Sequence, residues 1–345
     1  MIQIDGSHGE GGGQILRTAL ALSVCTGTPF RIERIRANRE KGGLLRQHLA
    51  AVRAARAIGD AVVEGDALHS RALTFEPRRL AAGQHEFDVG SAGSTMLVLQ
   101  TVLPPLLVAP EPSTLTLRGG THNPTSPPFD YIDRVFLPLV NRLGPTVTAT
   151  LRRAGFYPAG GGHVELTITP AAKLAPLVLL GRGASRRRRV RAVIANLPRH
   201  IAEREIATAL QVLEWEPAEG ELVELSDVSG PGNAVMVEVQ SDQVTEIYTG
   251  FAKRGVPAET VAEKPAREMK QYLDAAVPVG CNLADQLLTI AGLGGGVEFR
   301  TLPLTEHATT NAAVVRMFTG VETVVTADGP SAVRVAADVS RTNTR

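Results

Sequence analysis

A recurring unit constrains the fold of this chain more than any other feature of its sequence: a short strand, a glycine-rich turn and an amphipathic helix follow one another several times. Three such turns precede apolar helical stretches: Gly13 to Arg17 before Ala19 to Val24, Gly42 to Arg46 before Leu49 to Ala57, and Gly90 to Ser94 before Met96 to Leu103. Runs at 113–118 and 163–169 alternate apolar and polar residues, which predicts half-buried strands. The pattern predicts repeated units in which helices lie on one face of small sheets.

Two details of this pattern bear on its origin and its packing. Leu16-Arg17 and Leu20-Ala21 match Leu45-Arg46 and Leu49-Ala50 at a constant offset, which indicates an internal duplication. In the first helix, the apolar residues share one arc and the polar residues share the opposite one. The apolar arc holds Ile15, Leu16, Ala19 and Leu22, and the polar arc holds Gln14, Arg17 and Thr18.

The style of the sequence changes at 181–191, where four consecutive arginines, Arg186 to Arg189, are typical of a solvated linker or an edge strand. A self-contained pattern of strands and helices follows, and the glycine-rich style returns at Gly280. Its predicted elements are strands at 190–196, around Leu222 and at 234–239, and helices at 201–213 and 259–273. We therefore predict a smaller inserted α/β domain over 185–276, a large domain formed by 1–184 and 277–338, and a polar tail at 339–345.

Composition narrows the class of protein. The net charge of +1 excludes a globally basic nucleic-acid coat, but 31 of the 36 cationic residues are arginines. This bias is typical either of a local phosphate-binding cleft or of a GC-rich genome. The two cysteines, Cys25 and Cys281, provide neither a metal-ligand pair nor a disulfide framework. With no basic or apolar leader and no apolar run near the ~20 residues of a membrane span, we expect a cytoplasmic protein without membrane contact.

Several ATP-using signatures are missing from the sequence. No lysine is followed by Ser or Thr, so the chain has no P-loop, and it has no Lys-x-Asp-Gly motif of lysine-adenylating ligases. Gln14 also stands where the dinucleotide-binding turn needs glycine. If the protein activates a phosphate with a nucleotide, it needs another nucleophile.

The first glycine-rich loop runs from Asp5 to Arg17 and places backbone amides and a helix N-terminus beside charged side chains. Such a terminus favours anions. Glu10 would repel a phosphate unless a divalent cation lay between them, so Glu10 is a candidate metal ligand. A turn that needs positive φ explains the glycines but not the flanking charges.

A second cationic loop contains Arg36, Arg39, Lys41 and Arg46 around a glycine turn, where a polyanion could dock. His48 follows on the apolar arc of the next helix, so it is either part of this site or a histidine of the core.

Near the end of the chain, 297–304 predicts a strand and 312–318 predicts a helix with Val314, Val315 and Phe318 inward. His307 lies between them, in a strand-to-helix turn followed by hydroxyl and amide side chains suited to capping. Because an unperturbed imidazole is largely neutral near pH 7, His307 is a candidate nucleophile.

Taken together, these segments resemble the RNA 3'-terminal phosphate cyclase family. The resemblance spans nearly the whole chain and rests on six motifs in family order: Gly9 to Arg17, Gly43 to His48, Gly90 to Ser94 with Leu99 to Leu103, Gly155 to Gly162, Leu283 to Gln286, and His307-x-x-Thr310-Asn311. It implies an α+β fold of repeated units, each with two helices on a four-stranded sheet, interrupted by a smaller insert domain. It also implies a ligase that converts an RNA 3'-phosphate to a 2',3'-cyclic phosphate with ATP, through a histidine–AMP intermediate.

The resemblance assigns a role to each candidate residue. His307 carries AMP, Glu10 contacts Mg²⁺ or Mn²⁺, and Arg36, Arg39, Arg46 and His48 bind phosphate or RNA. The implied ATP-binding residues are Gln100, Asn282, Leu283, Ala284, Asp285, Gln286 and Arg17. Asn282 replaces an aromatic residue frequent in the family, so hydrogen bonds, Tyr248 or Phe251 could hold the adenine instead.

Two other functions stay open at this level. A non-catalytic relative could serve ribosomal RNA processing with the same fold, although the intact His307 motif argues against it. Enolpyruvyl transferases have a similar architecture, which alone is a weak argument for their chemistry. The sequence leaves the physiological RNA, the preferred metal and the oligomeric state undetermined. Because the insert carries none of the nucleotide motifs, we predict that it contributes little to nucleotide binding.

Overall fold

The computed structural model describes residues 1–337, and the predicted polar tail at 339–345 lies outside the described residues. Three copies of one βαβαββ unit build most of the chain. In each copy, the first two strands are parallel, the fourth strand pairs antiparallel with the second, and the third strand lies at the edge. The α+β class with repeated helix-on-sheet units is therefore confirmed.

The first unit forms the sheet β1-β2-β4-β3. Its elements are β1 Ile2–Asp5, α1 Gln14–Thr26, β2 Phe30–Glu33, α2 Arg46–Gly59, β3 Val62–Glu64 and β4 Leu73–Glu76. The second unit forms the sheet β5-β6-β8-β7. Its elements are β5 Gly83–Asp88, α3 Thr95–Leu107, β6 Ser113–Gly119, α4 Phe129–Tyr131, a π-helical turn Ile132–Phe136, α5 Leu137–Arg142, β7 Thr146–Arg153 and β8 Gly162–Thr169.

The third unit is interrupted between its first strand and its first helix. It begins with β9 Leu177–Leu179, and the inserted segment follows. The segment consists of β10 Ser185–Ala195, α6 Arg199–Leu213, a 3₁₀ turn Pro217–Glu219, β11 Gly220–Leu225, β12 Gly232–Ser241, β13 Thr245–Phe251 and α7 Ala258–Asp274. The unit then continues with α8 Cys281–Ile290, a π-helical turn Ala291–Gly295, β14 Val297–Thr301, α9 Glu306–Thr319, β15 Thr323–Ala327 and β16 Val333–Ala337.

The helices of the three units pack against one another, because α1 contacts both α3 and α9 and α8 contacts α9. The apolar arc of α1 enters this shared core, as its pattern predicted; Leu16 and Ala19 are 1% and 0% exposed. Its polar arc is not solvated: Gln14 and Thr18 are also buried, facing α8 and α9. None of the helices in residues 1–337 is long and apolar enough to cross a bilayer.

The inserted segment has its own four-stranded sheet in the order β11-β10-β12-β13. One face carries Ala192 and Val235 into a separate core with α6 and α7, whereas Val193 and Met236 on the other face join the main core. The alternation of strand side chains produces these two apolar faces. The exact domain boundaries at 185 and 276 stay a prediction.

Two interpretations of the sequence become more specific in the structure. Residues 16–17 lie in α1, whereas Leu45 is the N-cap and Arg46 the first residue of α2 in the same unit, and the unit that recurs three times is the whole βαβαββ unit. The arginines at 186–189 form the first half of β10, which pairs with β12 alone, so of the two alternatives the edge strand is the one observed. Three of them contact carboxylates: Arg186 contacts Asp242, Arg188 contacts Glu219 at 2.8 Å and Arg189 contacts Glu238 at 2.9 Å.

Candidate active site

Three helices meet at a single buried side chain, Asn311 of α9. Its Nδ2 donates hydrogen bonds to the carbonyl oxygen of Asp285 at 2.8 Å and to Thr289 Oγ1 at 3.0 Å, both on α8. Its Oδ1 accepts one from Thr18 Oγ1 of α1 at 2.8 Å. A buried amide with donor and acceptor both satisfied fixes the relative position of its partners. Asn311 therefore fixes the positions of α1, α8 and α9 relative to one another.

His307 lies in the first turn of α9, not in a turn that precedes the helix. The helix begins at Glu306, six residues earlier than the apolar pattern indicated, and Thr305 is its N-cap, accepting from Ala308 N at 3.1 Å. Thr310 and Asn311 are thus interior residues rather than caps. The inward packing predicted for Val314, Val315 and Phe318 is confirmed.

The imidazole of His307 has carboxylates on both sides. Asp285 Oδ2 lies 3.0 Å from Nδ1, and Glu10 Oε2 lies 3.8 Å from Nε2. Gln14 Nε2 donates to the other Asp285 oxygen at 2.5 Å, which orients the carboxylate. A carboxylate at hydrogen-bond distance selects the tautomer with its proton on Nδ1. Nε2 then carries the free lone pair.

The first glycine-rich loop packs tightly against this helix pair. Gly9 has φ of +53°, and a Cβ there would lie 2.1 Å from Thr310 Oγ1. A Cβ on Gly13 would lie 2.6 Å from His48 Nε2 and 3.0 Å from Arg17 Nη1. Glycine is required at both positions because neighbouring side chains occupy the space that a Cβ would need. The loop consequently holds Glu10 beside His307.

The predicted cations differ in what they contact. Arg17 is half-buried, and no carboxylate of residues 1–337 forms an ion pair with it. Burial lowers the pKa of Arg17 to about 10, against the charge of Asp285, so it stays a cation at neutral pH. Arg39 forms an ion pair with Glu10. Arg46, exposed at the start of α2, has no ion-pair partner in that same range of residues.

Arg36 and His48 form hydrogen bonds with the backbone of the second cationic loop. Arg36 Nη1 donates to the carbonyl oxygens of Lys41 at 2.6 Å and Gly43 at 2.9 Å. His48 is buried, and its Nδ1 accepts from Leu45 N at 3.2 Å. Burial lowers the pKa of His48 to about 3, with further lowering by Arg36 and Arg17, so the ring is neutral. This favours the core interpretation of His48, and its contact with phosphate or RNA stays a prediction.

A cavity of about 730 Å³ opens beside His307, a size typical of small-molecule sites. The side chains of Gln100, Asn282, Asp285 and Gln286 line it, as does Arg17. Gln14 Oε1 and Gln286 Oε1 are buried there and have no hydrogen-bond partner within residues 1–337. Buried acceptors are normally satisfied, so these two oxygens suit a ligand with amino or hydroxyl groups.

Leu283 and Ala284 correct the prediction of a continuous nucleotide-binding stretch. Both are 0% exposed in the main core and do not line the cavity. Helical periodicity explains the split, because residues 282, 285, 286 and 289 share one face of α8 and 283, 284, 287 and 288 share the other. Their side chains contribute to the site only by anchoring the helix.

The inserted segment forms one wall of the cavity, whereas its small contribution to nucleotide binding stays a prediction. Thr249, Phe251, Lys253 and Lys264 face the cavity from β13, the following loop and α7. Of the two rings considered for adenine, Phe251 lines the cavity, whereas Tyr248 is buried in the core of the insert. The sequence motifs do not predict this wall, because its position depends on how the insert packs against the rest of the chain.

The chain is similar to known proteins over most of its length. The family model described as RNA 3'-terminal phosphate cyclase matches residues 8–325. The chain belongs to the RNA 3'-terminal phosphate cyclase family. A protein of that name from Koribacter versatilis is 51% identical over 318 residues, which cover 92% of this chain and 90% of the relative. Namesakes from Ralstonia nicotianae and Salmonella typhimurium are 48% and 47% identical, covering 96% and 92% of this chain and 95% and 93% of theirs.

Within this member of the cyclase family, the described residues contain no group of three or more His, Cys, Asp and Glu side chains that could hold a metal. Glu10 therefore offers a single carboxylate. A magnesium ion bound through one or two carboxylates, with substrate phosphates and water completing its shell, fits such a donor set. Capping was the predicted role of Thr310 and Asn311, although their spacing of three and four residues from His307 puts all three on one helical face.

Proposed function

We propose that this chain converts an RNA 3'-terminal phosphate to a 2',3'-cyclic phosphate at the expense of ATP, with His307 as the nucleophile. The observation that carries the proposal is the Asp285–His307 pair, 3.0 Å apart at Nδ1, which presents Nε2 at the mouth of a nucleotide-sized cavity. The half-buried cation Arg17 lines the same cavity and supports binding of the phosphates. An imidazole whose orientation is set by a second group fits an activated nucleophile.

The reaction has three steps. First, His307 Nε2 attacks the α-phosphorus of ATP, the bond to the bridging oxygen breaks, and pyrophosphate leaves. Second, an oxygen of the RNA 3'-phosphate attacks the same phosphorus, the P–N bond breaks, and the RNA end becomes adenylated. Third, the neighbouring 2'-oxygen attacks the 3'-phosphorus as its proton is lost, and AMP leaves. The chain's task is mainly positioning and charge neutralisation, because adenylation supplies the leaving group.

Residues of the three units divide these tasks. Gln100, Asn282 and Gln286, together with Phe251 of the insert, hold the nucleoside part of ATP. Arg17 neutralises its phosphates, and Arg39 and Arg46 meet the incoming RNA phosphate from the exposed side. Arg36 supports their loop. The two free cysteines support a reducing compartment, and we place the reaction in the cytoplasm.

Glu10 is the proposed contact for Mg²⁺ or Mn²⁺, which when bound supplies charge neutralisation at the phosphates. We expect Glu10→Ala to keep the fold, since the side chain is half-buried in a surface loop. Adenylation should become about 10- to 100-fold slower or need correspondingly more metal, as is typical when groups around a metal are removed. The measurement is the initial adenylation rate against metal concentration. Glu40→Ala, an exposed carboxylate of the next loop, is the control, and an unchanged metal dependence in Glu10→Ala would exclude Glu10 as a contact.

The direct test of the proposed function is mass spectrometry of the protein after incubation with ATP and a divalent metal ion. We expect an acid-labile AMP adduct on His307, and its transfer to RNA that ends in a 3'-phosphate but not in a 3'-hydroxyl. A protein that acquires no label would instead be the non-catalytic relative that serves RNA processing as a binding protein.

A further inference from the structure

The segment that leads from the inserted domain into α8 is held from both sides. Tyr272 Oη of α7 donates to the carbonyl oxygen of Pro278 at 3.1 Å, and Val279 N donates to that of Arg300 at 3.3 Å. Gly280 N donates to Glu246 Oε2 of β13 at 2.8 Å. Residues 278–280 are therefore clamped between the insert and the sheet of the third unit.

Glu246 is an unusual residue for this position, because a carboxyl group is costly to bury. It is 1% exposed, and burial raises its pKa to about 8. Its other oxygen accepts from Ile247 N at 3.3 Å. The buried hydroxyls of Tyr131 and Tyr248 in the same region have no hydrogen-bond partner among the described residues. The cost of burial is offset chiefly by the contact with Gly280.

Gly280 is built to receive this carboxyl. A Cβ at position 280 would lie 2.5 Å from Glu246 Oε2 and 2.8 Å from Tyr248 Oη. Gly280 is also the N-cap of α8, and its carbonyl oxygen accepts from Ala284 N at 2.9 Å. The next residue of the helix is Asp285, whose carboxylate lies against His307. An unbroken series of contacts thus joins the insert to the nucleophile.

We propose that Glu246 is a positioning residue: by holding Gly280, it fixes where α8 begins and so where Asp285 meets His307. This inference rests on the proposed function of His307. It gives the insert a role in adenylation beyond lining the cavity. A change at Glu246 should act through Asp285, even though Glu246 lies on β13 of the insert and Asp285 lies on α8 of the third unit.

The test compares Glu246→Leu, which removes the acceptor at similar volume, with Glu246→Gln, whose carbonyl oxygen can still accept from Gly280 N. We expect kcat/KM for self-adenylation to fall about tenfold in the leucine variant, equal to about 1.4 kcal/mol, and to be largely restored in the glutamine variant. Glu205→Leu is the matched control, because Glu205 is a fully buried carboxyl of the insert that contacts Asn233 and does not line the cavity. It should leave adenylation unchanged.

A double-mutant cycle separates positioning from general destabilisation. If Glu246 acts through Asp285, Glu246→Leu should cost little in an Asp285→Asn background, because coupled residues are not additive. An equal loss in both backgrounds, or wild-type activity of Glu246→Leu, would overturn the inference. If Glu246→Leu does not fold, Gly280→Ala displaces the same contact from the other side, and the same cycle applies.

Hydrogen exchange provides a readout that needs no activity. Amides of α8 should exchange faster in Glu246→Leu than in wild type, and Glu205→Leu should leave them unchanged. If the amides of α8 exchanged at the wild-type rate in Glu246→Leu, the inference would be wrong, even if His307 were adenylated normally. Failure of wild type to form an AMP adduct would sink the proposed function, while faster exchange would still support the link between Glu246 and α8.

Discussion

Replacing His307 by asparagine is expected to abolish the protein–AMP adduct and cyclisation from ATP, yet to leave detectable conversion of RNA whose 3' end is already adenylated. In the proposed mechanism, the histidine is needed only to capture AMP and transfer it to the RNA phosphate. Closure uses the substrate's own 2'-oxygen, so the two halves of the reaction should separate. Closure will slow by about 10²- to 10⁴-fold if the imidazole also assists proton transfer. The measurements are adduct formation with labelled ATP and cyclisation of chemically adenylated RNA.

The control for this variant is His200→Asn, an exposed histidine on α6 that is not in the proposed site. It should form the adduct at the wild-type rate. An adduct on the His307→Asn protein would refute the assignment of the nucleophile. Complete inactivity on pre-adenylated RNA would instead mean that His307, or the site that it organises, also serves the last step.

Asp285→Asn is expected to slow adenylation by about 10²- to 10⁴-fold, because it changes which imidazole nitrogen is protonated. Gln14 Nε2 donates to one oxygen of Asp285, so the asparagine carbonyl should take that place. Its amide nitrogen then faces Nδ1 of His307 and offers a proton instead of accepting one. The imidazole must carry its proton on Nε2, where the nucleophilic lone pair is required. Single-turnover adenylation at saturating ATP measures this effect on chemistry apart from binding.

Glu306→Gln is the matched control for charge, since it removes an exposed carboxylate one residue from His307 without altering the Asp285 contact. It should adenylate nearly as fast as the wild type. If Asp285→Asn also adenylated at that rate, orientation through Nδ1 would have no part in the reaction.

Much of the fold follows from local patterns. The glycine turns, the apolar arc of α1 and the strand alternation at 163–169 all depend on neighbours in sequence, and each element appears where its pattern indicated. The start of α9 was missed because 306–311 are mostly polar. Thr305 supplies the helix-start signal, while Thr310 and Asn311 face the other helices rather than solvent. Polar side chains that contact distant partners are invisible to hydrophobic periodicity.

The candidate site was harder to predict than the fold. His307 and Glu10 could be placed by motif, but their partners come from distant parts of the chain, in the first and third units. The motif at 283–286 predicts the same role for four neighbouring residues, although the helix places Leu283 and Ala284 on the opposite face from Asp285. Glu246 had no motif at all, and its role depends on a hydrogen bond across the insert to Gly280. Such contacts depend on docking, which no local pattern encodes.

The interruption of the third unit has a consequence for how the molecule folds. In the first two units, parallel strands pair across a single helix, whereas β9 and β14 must meet across the whole inserted segment; Leu179 pairs with Phe299. Closing so long a loop costs entropy before the sheet can form, and distant contacts form slowly. We therefore expect the first two units and the insert to acquire structure before the third sheet closes. During synthesis on the ribosome, the candidate site would be completed late, since α9, which carries His307, follows every other helix of residues 1–337 along the chain.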